Sequence, residues 1–199
     1  MIISQGAEAI LIREGDKLVK QRVSKGYRVK ELDSKLIKTR TRQEAKLLEK
    51  VKEEINVPKV LNVSESEIVM EFIPGDKLSE HLDNYSEEKR NKICRMIGKQ
   101  VAKMHDLDII HGDLTTSNMI LHNDKVYFID FGLGFVNSHV EHKAVDLHLI
   151  RQALESKHYR HFEKSFKELL QGYKECKDYT EVVKRLEKVS SRGRYKERK

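Results

Sequence analysis

The sequence predicts an α+β fold with two lobes: a small antiparallel sheet lobe carrying one main helix, and a reduced, mostly helical lobe. Three observations predict it. Short runs of strand-type apolar residues occupy most of the first 73 residues, whereas apolar residues beyond Leu78 recur at helical spacing. A Pro-Gly pair at 74–75 separates the two patterns. We therefore divide the chain into an N-terminal lobe (1–73), a C-terminal lobe (74–190) and a basic tail (191–199).

The N-terminal lobe is predicted to contain three strands, one helix and two further strands. A turn at Glu14-Gly15-Asp16-Lys17 separates two apolar arms and indicates a hairpin. From Leu32 to Ile55 the apolar residues follow helical spacing, and Pro58 ends the helix that they predict. A Ser/Glu turn then joins two strands in KVLNVSESEIVMEFIPG.

The C-terminal lobe is predicted to be helical except for one short strand pair. An amphipathic helix is predicted from Ser86 to His105, because its apolar residues share one face. Residues 119–130 form two short strands around a His-Asn-Asp turn, and everything beyond Asn137 has a helical pattern. In the tail, Gly193 and the two serines before it should break any helix.

Composition excludes several classes of protein. At 199 residues, with 38% hydrophobic and 36% charged residues, the chain fits one core or two small lobes and excludes a large multidomain enzyme. No apolar stretch approaches membrane-spanning length and no signal peptide is apparent, so we expect a cytoplasmic protein with no membrane contact. Cys94 and Cys176 stand far apart without a histidine at metal spacing, which favours reduced, buried thiols.

The positive charge is concentrated at one end. Six of the seven net positive charges lie in residues 184–199. Such a run indicates either a solvated, disordered end or a flexible arm that binds RNA phosphates or an acidic groove of a partner. The sequence alone leaves both interpretations open.

Residues 111–132, HGDLTTSNMILHNDKVYFIDFG, crowd oxygen-bearing side chains into one loop and one strand end. Mg²⁺ prefers hard oxygen ligands and normally takes one or two protein carboxylates together with substrate phosphates. Asn118 and Asp130 suit that role. Asp113, on the same loop as Asn118, is placed to accept or orient the proton of an attacking hydroxyl or water.

The pattern H-x-D-x-x-x-x-N followed by D-F-G is the signature of protein kinases. It predicts a minimal two-lobed, protein-kinase-like fold that uses ATP and Mg²⁺. Chance would produce these six residues at a frequency on the order of 10⁻⁶ in a chain of this length. The competing interpretation is a loop of Asx turns with a strand-end aspartate, in which the same residues are only structural.

A kinase site also needs a cation on the third strand and a carboxylate on the helix of the sheet lobe. Lys20 lies centrally in the third strand, and Glu44 lies in the helix. Thr41 and Glu44 also match a capping box, which would use the glutamate at a helix start instead. A helix unbroken from Leu32 would favour the Lys20–Glu44 ion pair, and a break at Thr41 would favour the cap.

Further nucleotide contacts are predicted from position in the pattern. Backbone groups of Glu71 and Ile73, in the connector between the lobes, are expected to bind adenine. Gly6 is the single glycine in the segment where a Gly-rich phosphate loop is expected. Glu8 in the same segment would repel a triphosphate unless a cation lies nearby.

Two residues of the second lobe raise separate questions. Gly112 stands where many kinases carry an arginine that holds an activation-loop phosphate, so no such switch is expected. Asp146 lies near a predicted helix start and has two open roles. It either accepts hydrogen bonds from the catalytic loop or serves as a first-turn acid favoured by the helix dipole.

Several segments together resemble one family. They are GAEA, GYR, TRTRQEAKLL, EFIPG, IIHGDLTTSNMIL, FIDFGLG, KAVDLHLI and RGRYKERK. On these motifs the chain resembles the PRPK family over essentially its whole length. This family is the small atypical serine/threonine kinase or ATPase subunit of the KEOPS (EKC) complex and is related to RIO kinases.

The resemblance implies a subunit that works with a partner transferase, which makes the threonylcarbamoyl modification on tRNA adenosine beside the anticodon. It implies an ATPase within the complex that also phosphorylates serine weakly on its own. The matching motifs imply that Asp113 is the catalytic residue, that Asn118 and Asp130 are metal ligands, and that Lys20 anchors the phosphates. Contacts to the partner or to tRNA are carried over to the tail residues Arg192, Arg194, Lys196, Arg198 and Lys199.

Two other functions compete with this one. Small-molecule phosphotransferases of the aminoglycoside and choline kinase type share the H-G-D-x-x-x-x-N pattern, but they need a larger helical lobe to hold their acceptor. A non-catalytic nucleotide-binding scaffold in RNA processing is the second alternative. The intact Asp113, Asn118 and Asp130 argue against it, because a scaffold does not need all three.

Overall fold

The computed structural model describes residues 1–6, 8–26 and 29–194, with side chains described as far as Ser191. The elements of its first part are β1 Ile2–Gln5, β2 Ala9–Glu14, β3 Lys17–Arg22, α1 Lys30–Val51, β4 Val60–Val63 and β5 Glu67–Glu71. The five strands form one antiparallel sheet in the order β1-β2-β3-β5-β4, and α1 packs on it through Ala45. The predicted order of strands and helix is confirmed.

The β2–β3 hairpin has the predicted turn. Glu14 pairs with Lys17 at its end, and Gly15 has a φ of +63°, a backbone conformation that glycine adopts without strain. Strand β3 pairs with β2 on one side and β5 on the other, so it lies at the centre of the sheet.

Helix α1 ends earlier than predicted. It stops at Val51, and the next residues form a turn in which the Glu54 amide bonds the carbonyl of Val51. Ile55 is nevertheless buried in the core. The prediction of a helix to Ile55 was therefore wrong. The helical spacing of apolar residues extends to Ile55 because this turn residue packs in the same core as Val51.

The second part of the chain is mostly helical, as predicted. Its helices are α2 Leu78–His81, α3 Glu87–Asp106, α4 Val140–Lys157, α5 Phe162–Tyr173 and α6 Tyr179–Arg194. Its short strands are β6 Asp76–Lys77, β7 Ile109–Ile110, β8 Met119–His122, β9 Lys125–Phe128 and β10 Phe135–Val136. Ser86 caps α3 by accepting a hydrogen bond from the amide of Lys89. None of the helices in the described part of the chain is long and apolar enough to cross a membrane.

The prediction that Gly193 and the two serines before it break the helix is wrong. Helix α6 runs through Ser190, Ser191 and Gly193 as far as Arg194. Tertiary contacts override the weak helix propensity of these residues. Val182 and Leu186 are buried, and Ser190 accepts a hydrogen bond from Arg151 of α4 at 3.2 Å.

One continuous apolar core joins α1 to the second part of the chain. Leu47, Leu48 and Val51 of α1 belong to the same buried cluster as Phe128 and Phe131. The predicted boundary between residues 73 and 74 falls between β5 and β6 and stays a prediction. Cys94 and Cys176 are both free and buried, as predicted, and burial raises the pKa of Cys94 to about 11.

Helices α3 and α5 cross at very short range because each has a glycine at the contact. A Cβ atom on Gly98 would lie 1.9 Å from the carbonyl oxygen of Leu169, and one on Gly172 would lie 2.1 Å from that of Arg95. No side chain fits at either position without moving a backbone. This close crossing holds α5 against the helix that leads into the catalytic loop.

We therefore predict that Gly98→Ala destabilises the protein. Overpacking against a backbone carbonyl should lower the free energy of unfolding by about 2 to 3 kcal/mol, even though alanine is the better helix former. Urea denaturation followed by far-UV circular dichroism measures the change.

Gly26→Ala is the matched control, because a Cβ atom there meets no atom of the described residues within 4 Å. It should change the free energy of unfolding by less than about 1 kcal/mol. Equal stability of Gly98→Ala and the unmodified protein would contradict the close-crossing account.

Candidate active site

Lys20 joins the two parts of the chain. Its ammonium, on β3, donates hydrogen bonds of 2.7 Å to Glu44 Oε1 of α1 and of 2.7 Å to Asp130 Oδ1, which follows β9. The lysine side chain is 9% exposed and that of Glu44 is 1% exposed. Burial makes both bonds necessary, because a buried charge without a partner is strongly destabilising.

The capping-box interpretation of Thr41 and Glu44 is wrong. Helix α1 runs without a break through both residues, and the Thr41 hydroxyl donates to the carbonyl of Ile37 at 2.8 Å, one turn earlier. Glu44 is thus an interior helix residue whose carboxylate faces β3, and the predicted ion pair with Lys20 is present.

Arg22 is a member of this cluster that the sequence interpretation missed. Its Nη2 donates to Glu44 Oε2 at 2.5 Å, so Glu44 binds two cations from the same strand. Its side chain is 5% exposed, and its Nε has no hydrogen-bond partner among the described atoms. The available signal was spacing, because residues two apart on a strand point to the same face.

Glu8 is neutralised by cations, which answers the concern about repulsion of a triphosphate. Arg40 binds both of its carboxylate oxygens at 2.8 Å, and Lys25 and Arg22 lie at 3.6 and 3.9 Å. Partial burial alone would raise the pKa of Glu8, but the hydrogen bond and charge of Arg40, with help from the other two cations, hold this pKa below its usual value.

Gly6 lies in the loop after β1, where its amide donates to the carbonyl of Ala9 at 3.0 Å. A Cβ atom on Gly6 would meet only that same carbonyl oxygen, at an ordinary 3.6 Å. Its predicted contact with nucleotide stays a prediction, because the described backbone does not itself require glycine here.

The catalytic loop holds Asp113 and Asn118 together. The Asn118 side-chain amide donates to both the carbonyl and the Oδ2 of Asp113 at 2.8 Å. The other amide atom, Oδ1, accepts no hydrogen bond within the described part of the chain. In addition, the backbone amide of Ile129 donates to the carbonyl of Asn118 at 3.0 Å. Asn118 therefore lies beside the residue that precedes Asp130.

Asp130 has an unusual backbone and a half-exposed side chain. Its φ is +63°, in the left-handed region, and its carboxylate is 50% exposed. Partial burial alone would raise the pKa of this carboxyl. The Lys20 ammonium and the amide of Gly132, which donates at 3.2 Å, lower the pKa by more than burial raises it, so it lies below its usual value. Asp130 is thus an anion with one oxygen open to the cleft.

These residues fit a magnesium ion that takes most of its ligands from a nucleotide. No group of three histidines, cysteines or acids that could hold a metal occurs among the residues described. One carboxylate oxygen and one amide oxygen are instead available, from Asp130 and Asn118. Hard oxygens in this number suit Mg²⁺, which keeps phosphate and water ligands.

Gly112 and His111 explain the shape of the loop that precedes Asp113. Gly112 has a φ of +78°, and a Cβ atom on it would lie 2.4 Å from the carbonyl oxygen of Leu133. A side chain at this position would require the backbone to move, and the expected absence of a phosphate-controlled switch stays a prediction. Burial lowers the pKa of His111, so the ring is neutral at pH 7, and its Nε2 donates to the carbonyl of Ile129 at 3.2 Å.

Asp146 fixes this loop by accepting two of its backbone amides. Its carboxylate accepts from the amides of His111 at 2.6 Å and Gly112 at 2.9 Å, and it is fully buried. It lies in the second turn of α4, so the alternative of a first-turn acid is wrong. His105 and Tyr173 extend the network through contacts of 3.4 and 2.8 Å.

The connector residues Glu71 and Ile73 lie at the end of β5 and just beyond it. Glu71 ends β5, where its amide donates to the carbonyl of Lys59, and the amide of Phe72 donates to the carbonyl of Asp16. The amide of Ile73 takes part in no backbone hydrogen bond within the described ranges, which leaves it available to a ligand. The predicted adenine contacts stay predictions.

The tail contacts lie outside what the structure describes. Side chains are not described for Arg192 and Arg194, at the end of α6, and Lys196, Arg198 and Lys199 are not among the described residues. Their predicted role in binding a partner or tRNA stays a prediction.

Comparisons with known proteins agree with this geometry. The RIO domain family matches residues 13–151, more than half of the chain. The KEOPS complex subunit Bud32 of Pyrococcus abyssi is 46% identical, over 99% of this chain and 97% of that protein. The EKC/KEOPS complex subunit BUD32 of Encephalitozoon cuniculi is 40% identical, over 97% of this chain and 95% of that protein.

Longer relatives contain a counterpart of the whole chain. A probable bifunctional tRNA threonylcarbamoyladenosine biosynthesis protein of Methanobrevibacter smithii is 39% identical over 98% of this chain, which spans only 36% of that protein.

Among solved structures, the ternary complex of streptomycin, ATP and APH(2")-IIa superposes with a TM-score of 0.62 over 94% of this chain and 80% of the other. At 14% identity this likeness concerns the fold alone, and it confirms the predicted kinase-like fold class. The family match and the full-length relatives confirm the resemblance drawn from the motifs. The chain therefore belongs to the RIO-domain family and, within it, to the Bud32 proteins.

Proposed function

We propose that this chain is a Mg²⁺- and ATP-dependent atypical serine/threonine kinase or ATPase. We further propose that it acts as a subunit of a KEOPS complex, which supports the formation of threonylcarbamoyladenosine in tRNA. One observation carries the proposal: the Lys20 ammonium lies 2.7 Å from both Glu44 and Asp130. This arrangement supports a site in which a cation and a candidate metal-binding acid act side by side, as phosphoryl transfer from ATP requires.

Residues from both parts of the chain would bind the nucleotide. Lys20, held in place by Glu44, would bind phosphate oxygens from the sheet side, while Asp130 and Asn118 would hold a magnesium ion from the other side. A bound Mg²⁺ supplies positive charge that neutralises the phosphates as the transferred group leaves. The amide of Ile73 and the carbonyl of Glu71 would bind adenine at the connector.

Asp113 would orient the attacking group. Asn118 binds its Oδ2 at 2.8 Å, which fixes the carboxylate while the other oxygen can accept a proton from water or a hydroxyl. Only residues 133–139, which include the two residues of β10, separate Gly132 from α4. Such a short segment offers no platform for a peptide substrate, so water or a hydroxyl of a partner protein is the favoured acceptor.

The partner half of the proposal rests on the relatives. Two of them are named as KEOPS subunits, and they match this chain at 46% and 40% identity over nearly their full length. In the bifunctional relative the counterpart of this chain spans 36% of a longer polypeptide, and that polypeptide as a whole is named for tRNA threonylcarbamoyladenosine biosynthesis. A transferase is therefore the expected partner, and the basic tail is the proposed contact with it or with tRNA.

We predict that Asp113→Asn abolishes turnover but not nucleotide binding. The amide cannot accept a proton, so ATP hydrolysis should fall by about 10²- to 10⁴-fold, while ATP affinity changes little. Phosphate release from the purified chain, alone and with the KEOPS partner subunits, measures the rate.

Asp124→Asn is the matched control, because Asp124 is an exposed residue in the turn between β8 and β9. It should hydrolyse ATP at the unmodified rate. Undiminished hydrolysis by Asp113→Asn in the complex would remove Asp113 from the catalytic role.

We also predict that Lys20→Met lowers turnover by about 10²-fold, because a preorganised cation for the phosphates is lost. Glu44 keeps Arg22 as a partner, so the buried carboxylate stays paired and the fold should persist. Lys17→Met, on the exposed end of the same strand, is the control. Equal ATP hydrolysis by the two variants, with both folded by circular dichroism, would count against the phosphate-anchoring role.

A further inference from the structure

A groove outside the catalytic cleft lies between α1 and β10, and we call it the α1–β10 groove. Its volume is about 550 Å³. Its apolar floor consists of Leu47, Phe135 and Val136, and its rim carries the cations Arg42, Lys46 and Lys50. No residue named above for ATP, metal or proton transfer lines it.

The rim is a cationic surface, and of its charges that of Arg42 acts on a nearby acid: Lys38 chiefly, and Arg42 to a smaller extent, lower the pKa of Glu65. Arg42, Lys46 and Lys50 are all exposed, and none of the three forms an ion pair with the residues that the structure describes. No acidic residue is found among the described residues that line the groove. Three exposed cations that lack an ion pair in the described part of the chain favour a ligand of negative charge.

The floor is apolar, and part of it is open to water. Val136 is 56% exposed and Phe135 is half-buried, whereas Leu47 is buried. Large apolar side chains that are grouped and open to water commonly mark a binding surface. A phosphate backbone gains nothing from such a floor, whereas large apolar side chains of a protein segment do.

We propose that the α1–β10 groove binds an acidic, amphipathic segment of a partner protein. Two or three large apolar side chains of the segment pack on Leu47, Phe135 and Val136, and its carboxylates pair with the cations of the rim. Charge complementarity selects this occupant. It excludes the basic tail of this chain, and it disfavours a second copy, whose corresponding groove carries the same positive charge.

The groove lies next to the site because α1 also carries Glu44 and β10 follows the segment of Asp130 in the chain. Gln43 of α1 donates from its side chain to the carbonyl of Gly134 at 2.6 Å, and the next residue, Glu44, binds Lys20. An occupant that bridges α1 and β10 therefore holds the helix in the position at which Glu44 meets Lys20. The inference itself concerns binding and does not require that the chain turns over ATP.

The test uses the full chain and a defined probe. The probe is a fluorescein-labelled helical peptide of about 16 residues with leucines on one face and glutamates flanking them. A second peptide carries glutamine in place of each glutamate. Fluorescence anisotropy should give binding of the acidic peptide that is at least about tenfold tighter than that of the neutral one, as expected for charge pairs of about 1.4 kcal/mol in total.

The variants localise the binding. The double charge reversal Lys46→Glu/Lys50→Glu should lower the affinity for the acidic peptide by about tenfold or more. Val136→Glu should lower the affinity for both peptides. The matched control is Lys35→Glu/Lys174→Glu, which changes the net charge equally at exposed positions elsewhere. It should alter the affinity by less than about twofold, within the effect of long-range screened charge.

Three results would overturn the proposal. The first is no binding of the acidic peptide to the unmodified chain. The second is an equal loss of affinity in the control variant, which would indicate a general effect of net charge. The third is a tRNA probe that displaces the peptide and loses its own affinity in Lys46→Glu/Lys50→Glu, which would assign the groove to RNA. Since none of these readouts involves ATP hydrolysis, failure here and failure of the proposed function are distinguishable.

Discussion

The structure depends on a buried lysine that needs two acids. Lys20 lies in the central strand β3, where water cannot compensate its charge, and it is held by Glu44 from α1 and Asp130 from the end of β9. Satisfying both bonds sets the position of α1 relative to the second part of the chain. The apolar core supports the same position, because Leu47 and Leu48 of α1 pack in one cluster with Phe131. Electrostatics and packing thus agree on one arrangement of the cleft.

A second constraint is the buried carboxylate of Asp146, which fixes the backbone of the catalytic loop. Asp146 accepts the amides of His111 and Gly112, so the backbone before Asp113 cannot relax when substrate is absent. The close crossing of α3 and α5 supports this network, because these helices carry His105 and Tyr173. Asp113 and Asp130, the proposed catalytic and metal-binding residues, therefore lie on loops, while buried helices hold the loop before Asp113 in place.

Much of this site could be predicted from the sequence, and the parts that could not share a cause. Short-range patterns were sufficient to predict the order of strands and helix along the first part of the chain, the loop of Asp113 and Asn118, and the Lys20–Glu44 ion pair. Each of these follows from spacing or from a motif. The spacing of Arg22, two residues after Lys20, indicates that the two share a face of β3, but only the packing of β3 against α1 shows that Arg22 binds Glu44. The end of α1 and the continuation of α6 through Ser190 were missed because packing with distant residues decides them. The α1–β10 groove joins residues that are far apart in the chain, and no local pattern indicates it.

The central claim is that Asn118 and Asp130 hold one magnesium ion on a nucleotide that Lys20 grips from the opposite side. The most direct measurement is the Mg²⁺ dependence of ATP affinity in a double-mutant cycle of Asn118→Ala and Asp130→Ala. Two ligands of a single ion should be coupled, so each substitution alone should remove most of the effect of Mg²⁺ and the double variant little more, with a coupling energy of about 1 kcal/mol or greater. Fully additive losses would mean that the two side chains act on different groups and would contradict the account.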